Sequence, residues 1–434
     1  MTIALPTGVE FLAATIAVWK CGATPQPISA KLPHHEAAAI IDLAQPSLVI
    51  GLDQHDVPDI SVIPSGFEPS PGIADTYLDV GAAAEWKAPT SGGSSGRPKL
   101  IVSTEPAVAA TVEPFARLMG VRDNDTLLIT APLYHNGPFL MSACGLTLGA
   151  HVVLVTRFDA AETLRIIERH RVEWMYVVPT MMMRIWRLEE RESFDVRSLR
   201  VVAHTAAPCP AWLKQGWIDW LGADRILELY GSTELQAATL LTGDEWLARP
   251  GTVGKPAIGE MTVLDETGSP LASGNAGEIW MRRAANAQRP YRYIGAVAQS
   301  RQDGWETFGD MGWMDDEGYV YLADRKADMI IVGGANVYPA EVEGALLEHP
   351  LVRSAVVVGR SHEDLGQVPH AFVELASDLD EQTLLAHLAT RIARYKMPRS
   401  FERVDEPLRD NAGKVRRSAL AASAATFTPP PPTG

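Results

Sequence analysis

Apolar positions recur with helical spacing over Glu10 to Lys20 (Phe11, Ala14, Ile16, Val18 and Trp19), and Cys21-Gly22 ends the run. His34 to Ala44 predicts a second helix. Ser47 to Gly51 reads as a buried strand, and Ile3-Ala4-Leu5-Pro6 as the tail of another. Residues 52–88 are rich in Asp, Pro, Gly and Ser and read as loop. Farther on, short apolar runs alternate with helical patterns. Strands are predicted at 126–130, 151–155, 174–178 and 199–203, with helices over 138–148, 160–170 and 181–188; Asp159 is the expected N-cap of the second of these. This alternation predicts βαβ units, so the fold class is α/β: a mainly parallel sheet with helices on both faces.

The pattern changes over 251–282, where strands at 261–265 and 278–281 are separated by Gly and Pro turns, as in a small β-rich subdomain. Asp324 to Asp328 reads as a boundary. A compact α+β unit follows, with strands at 329–332, 355–359 and 371–375 and helices near 340–348 and 382–395. The expected organisation is a large domain over 1–324, a hinge near 325–328, a small mobile domain over 328–424 and a disordered, proline-rich tail over 425–434.

Composition narrows the function. A net charge of −15 argues against a nucleic-acid partner, which needs a basic face. Cys21, Cys144 and Cys209 are far apart and form no metal-ligand spacing, which fits a reducing cytoplasm and small apolar core residues. No apolar run is long enough to span a membrane, and no signal peptide is visible.

The chemistry gathers in a few stretches. Thr90-Ser91-Gly92-Gly93-Ser94-Ser95-Gly96-Arg97-Pro98-Lys99 packs glycines, hydroxyl side chains and a terminal lysine into one loop, suited either to cradling phosphates or to a flexible surface turn. It is not a Walker loop. Tyr230-Gly231-Ser232-Thr233-Glu234, Phe308-Gly309-Asp310, Asp324-Arg325 and Gly413-Lys414 follow in that order.

These motifs resemble the ANL superfamily of acyl-CoA synthetases, peptide-synthetase adenylation domains and luciferases, over about residues 4–422. The wording is most similar to bile-acid and fatty-acid CoA ligases of bacteria. The resemblance implies ATP-dependent activation of a carboxylic acid to acyl-AMP, then transfer to coenzyme A, with ATP, Mg²⁺ and CoA in use. It implies phosphate contacts from Thr90, Ser91, Gly92, Gly93, Ser94, Ser95, Gly96 and Lys99, and Mg²⁺ bound by Glu234. Thr233 would touch the α-phosphate and Tyr230, with Gly231 and Ser232, would border the adenine. Thr205, Ala206 and Ala207 would flank adenine and the acyl pocket. Asp310 would accept hydrogen bonds from the ribose hydroxyls, Arg325 would touch ribose or phosphate, and Lys414 would reach the carboxylate and α-phosphate oxygens. His135 would gate the acyl pocket, and Gly333 and Gly334 would line a pantetheine tunnel. Each of these residues also has a structural reading, as core, turn or solvated charge.

Amino-acid-activating relatives place an aspartate shortly after the gate, whereas residues 136–150 contain no acid, so the expected substrate is an apolar acid without a free α-amino group. Three departures stand out: Leu100 where many relatives have glycine, Phe308 where threonine is frequent, and Ala327 at the hinge. Relatives also carry several dozen residues before the match to Leu5-Pro6, a difference expected to touch stability more than chemistry. A carrier protein as acyl acceptor, a non-catalytic nucleotide binder and a homodimer stay open.

Overall fold

The computed structural model describes residues 1–70, 72, 81–92, 98–284, 287–410 and 413–426. Gly93, Ser94, Ser95 and Gly96 of the phosphate-loop reading, and the expected tail from residue 427, lie outside these residues. The first two residues of that expected tail belong to a helix, Arg417–Thr426.

The large domain is built on a seven-stranded sheet. From one edge its strands run Lys255–Ile258, Ala238–Thr242, Ile226–Gly231, Val201–His204, Trp174–Val177, Thr126–Ile129 and His151–Leu154. The last five are mutually parallel, and the first two add antiparallel. Strands such as Trp174–Val177 are buried at every position, as a sheet covered on both faces requires. The covering helices include Asn136–Thr147, Ala160–His170 and Pro179–Trp186. The Asp159 carboxylate accepts from the Glu162 N–H and caps the second of them, as its sequence predicts.

A four-stranded parallel sheet near the N-terminus includes Val62–Ile63, inside the stretch read as loop; two residues are too short to show alternation. A β-rich unit is formed by Glu260–Leu264, Gly277–Arg282, Gln299–Ser300, Glu306–Met314 and Val320–Arg325. The small domain has its own apolar core, including Val337, Val342, Val357 and Leu388, under a sheet of five strands. Its helix Glu381–Ala389 is shorter than the 382–395 pattern suggests. The Thr390 hydroxyl donates to the His387 carbonyl, Ala393 is extended, and the chain continues as a short 3-10 turn, Arg394–Lys396.

Of the three cysteines only Cys144 is buried. Cys21 is exposed and Cys209 half-buried, which corrects the expectation that all three are core residues. Cys21 lies just past the helix end, where its backbone N–H closes the last turn and its side chain faces out.

Candidate active site

Four parallel strands deliver their C-terminal loops to one place, the usual ligand crevice of an open α/β sheet. Thr126–Ile129 leads to Pro132–Asn136, and Trp174–Val177 to Pro179-Thr180. Val201–His204 leads to Thr205–Pro208, and Ile226–Gly231 to Ser232–Glu234. Ala206 holds φ +78°, a left-handed conformation that costs a non-glycine residue about 1–3 kcal/mol and marks a constrained loop.

The Thr90–Gly92 and Pro98–Ser103 strands pair as an antiparallel hairpin, with Ser91 opposite Lys99. Alternation turns Lys99 toward the crevice and buries Leu100 against Ala4, Ile28, Ile40 and Val102, so the departure at Leu100 is a core residue on the far face. Lys99 Nζ lies 3.3 Å from Glu234 Oε1 and 4.1 Å from the centroid of the Tyr293 ring. The Tyr293 hydroxyl donates to the same Glu234 oxygen. Glu234 is buried, so its charge is held in place by a cation and a phenol. A buried carboxylate beside a lysine-bearing hairpin is a donor set that suits Mg²⁺ carried on phosphates, because Mg²⁺ takes only one or two carboxylates in such sites.

A second cluster joins Tyr230, Asp310 and Arg325. The Tyr230 hydroxyl donates to Asp310 Oδ2 at 2.8 Å, and Arg325 Nε stands 3.4 Å from Asp310 Oδ1. Asp310 and Arg325 are direct partners on adjacent strands. Burial pushes the Asp310 pKa above its ordinary value, against the pull of Arg325 and Tyr230. Phe308 packs with Tyr230 on a small core that includes Met261, Ile279 and Val320, so this departure fills the floor beneath the cluster.

The third cluster crosses between domains. Gly413 packs on Thr180 and Val178 at the head of the helix Pro179–Trp186. Lys414 N–H donates to Asp410 Oδ1 at 2.9 Å, and Asp410 Oδ2 stands 4.0 Å from His135 Nε2. Lys414 stands in a cleft: solvent reaches its side chain while protein surrounds it, and this desolvation lowers its pKa, opposed by Asp410 and aided by Arg325. His135 is the N-cap of the helix Asn136–Thr147. Its Nε2 is buried without a hydrogen-bond partner. Burial, then the nearby Lys414 charge, holds its pKa down at about 3, so the ring is neutral at neutral pH.

The structure thus brings Lys99, Glu234, Tyr230, Asp310, Arg325, His135 and Lys414 together around the crevice, with Thr205 to Ala207 and Ser232-Thr233 on its rim. Gly333 and Gly334 form the turn of a small-domain hairpin at φ +56° and +86°, where the Gly333 N–H donates to the Leu365 carbonyl; none of the hydrogen bonds and ion pairs above reaches this turn. Sequence reading missed Tyr293 and Asp410. Neither sits in a motif, and Tyr293 reaches Glu234 only because its strand Tyr291–Ile294 pairs with Pro98–Ser103.

With this geometry in hand, comparison with known proteins defines the class. The model of the AMP-binding enzyme family matches residues 1–291, and that of the AMP-binding enzyme C-terminal domain matches 341–414. The chain belongs to this family, and it is an AMP-forming acid–thiol ligase that activates a carboxylic acid with ATP and passes the acyl group to CoA. It is 32% identical to a 2-succinylbenzoate–CoA ligase of Bacillus licheniformis over 80% of this chain and 71% of that protein. It is 35% identical to the enzyme of the same name from Bacillus pumilus, over 76% and 67%. Among solved structures, o-succinylbenzoate CoA synthetase from Bacillus subtilis with its acyl-adenylate intermediate superposes with a TM-score of 0.82 at 25% identity, covering 96% of this chain and 87% of that one. The amide bond synthetase from Marinactinospora thermotolerans gives 0.81 at 26%, covering 97% and 89%.

Proposed function

We propose that this ligase activates an aromatic carboxylic acid without a free α-amino group, and that the closed arrangement described above is the one that makes the adenylate. The single observation that carries this reading is the docking of Gly413-Lys414 on Val178 and Thr180 beside His135, at the carboxyl ends of the parallel strands. An acid and ATP are both anionic, so their meeting needs fixed positive charge and alignment. Lys99 supplies charge at the departing phosphates, and Lys414 supplies it where carboxylate and α-phosphate meet. The neutral His135 offers a polar edge without competing for a proton. Glu234 would hold Mg²⁺, which would supply neutralisation of the phosphate oxygens. Asp310 accepts hydrogen bonds from the ribose hydroxyls, and Tyr230 packs against the base.

The acid class rests on the absence of any carboxylate over residues 136–150 and on the names of the relatives, which act on an aryl acid. Fatty and steroid acids are the second class to try. The hinge is proposed at Arg325–Asp328, a turn closed by the Asp328 N–H on the Arg325 carbonyl at 3.0 Å. A reducing, cytoplasmic setting is proposed from three free cysteines; no helix among the described residues is long and apolar enough to cross a membrane. The test is acid-dependent exchange of labelled pyrophosphate into ATP across aryl, fatty and steroid acids. Exchange with aryl acids supports the reading, and exchange confined to another class overturns it.

A further inference from the structure

Lys87 is a buried lysine that the chemistry above does not use. It is 6% exposed and lies on the extension of the phosphate hairpin, where its carbonyl accepts from the Ser103 N–H. Because Ser91 opposes Lys99, alternation puts Lys87, Ser91 and Lys99 on one face, the face toward Glu234. The Lys87 ammonium donates to Asn136 Oδ1 and stands 4.4 Å from the Trp86 ring centroid. Asn136 opens the helix that His135 caps, so this ammonium sits between the phosphate hairpin and the acyl gate.

Its partners do not neutralise it. An ammonium has three donors, and Asn136 is neutral and takes one. Lys87 forms no ion pair among the described residues; Glu105, Glu234 and the Cys144 thiol act on it only at longer range. Burial alone pulls its pKa down to about 7. A buried cation without a counter-ion is costly, and such groups gather at sites that bind a charge.

We infer that Lys87 is a specificity-determining residue of the acyl site, binding a second carboxylate on the acid while Lys414 attends the reacting one. The inference rests on the reading of the crevice as an acid-activating site and names its substrate class more narrowly, as a dicarboxylic aryl acid.

The experiment compares 2-succinylbenzoate with 4-oxo-4-phenylbutanoate, which keeps the skeleton and lacks the ring carboxylate. Calorimetry gives the ratio of their dissociation constants for the wild-type chain, Lys87→Met and Lys87→Gln. Both acids are titrated into the same preparation, so the ratio does not depend on the folded fraction. The expected result is tighter wild-type binding of the diacid, with that preference reduced about tenfold or more in both variants; tenfold corresponds to about 1.4 kcal/mol. Equal binding of the two acids by the wild-type chain, or a preference unchanged in both variants, overturns the inference. Failure of the ligase reading is seen separately, as absence of acid-dependent pyrophosphate exchange.

Discussion

Gly413 and Thr180 meet across the two domains: a β-carbon added at Gly413 would stand 3.1 Å from Thr180 Oγ1. Gly413 also holds φ +75°, a conformation that costs an L-residue about 1–2 kcal/mol. Gly413→Ala is therefore expected to lift Lys414 from the crevice and slow adenylate formation about five- to thirtyfold, with less effect on thioester formation from supplied acyl-AMP. Equal slowing of both steps, measured separately, would refute this account of the contact.

Lys414→Ala removes the cation itself. By analogy with other groups that stabilise developing charge, the loss in adenylation is about 10²–10³-fold. Pyrophosphate exchange reads this step directly. A variant that exchanges at the wild-type rate would defeat the assignment.

Ala327 lies in the turn between the β-rich unit and the small domain. Proline there fixes φ and restricts the preceding residue. Ala327→Pro is expected to impair thioester formation more than adenylation, because on the proposed hinge the arrangement for adenylation is already formed and thioester formation requires the small domain to turn. Rapid-quench measurement of each half-reaction distinguishes the two.

Lys214, on the helix Ala211–Leu221, and Glu228, two residues before Tyr230 on its strand, form a buried ion pair. Removing one partner strands a buried charge. Lys214→Met should cost about 3–5 kcal/mol, and Lys214→Met/Glu228→Leu clearly less, as measured by denaturant unfolding.

His204 lies beside that pair, wholly buried, its Nδ1 3.9 Å from Glu228 Oε1 and neither ring nitrogen in a hydrogen bond among the described residues. Burial holds its pKa down to about 4 from an ordinary 6.5. Between these values the unfolded chain carries the proton and the folded one does not. Stability from this group is thus complete above about pH 6.5 and declines as pH falls toward 4, by at most about 1.4 kcal/mol per pH unit. His204→Gln should flatten the dependence of melting temperature on pH in that window. An unchanged slope would exclude His204 as a contributor.

How much of this was legible in the sequence depended on distance along the chain. Local signals worked where one segment settles its own structure. The Asp159 cap, the helix at His34 to Ala44 and the alternation of strand and helix before residue 204 all match the structure. The motif residues Lys99 and Glu234 pointed to one site although they lie 135 residues apart. Long-range pairing had no such signal. Tyr293 becomes part of the site only through its register with Ile101, and Asp410 only through the approach of the small domain to His135. Lys87 fell within the 52–88 stretch read as loop, because burial of a cation is decided by elements that close over it. Cys21 misled in the opposite sense, as an apolar-leaning residue left outside by the end of its helix.

The contacts that close the small domain over the large one include Arg187 donating to the Val352 carbonyl and an exposed ion pair between Arg416 and Glu36. Exposed ion pairs of this kind contribute roughly 0–1 kcal/mol. The Arg416–Glu36 pair therefore adds little to holding the two domains together. In the proposed reaction, nucleotide and acid in the crevice help to hold Lys414 in position, and departure of pyrophosphate removes the anion that Lys99 faces. On the proposed hinge, the order of the two half-reactions is tied to the weakness of an interface: no separate trigger is needed to reopen it, because an anion that helps hold it shut leaves with the first product.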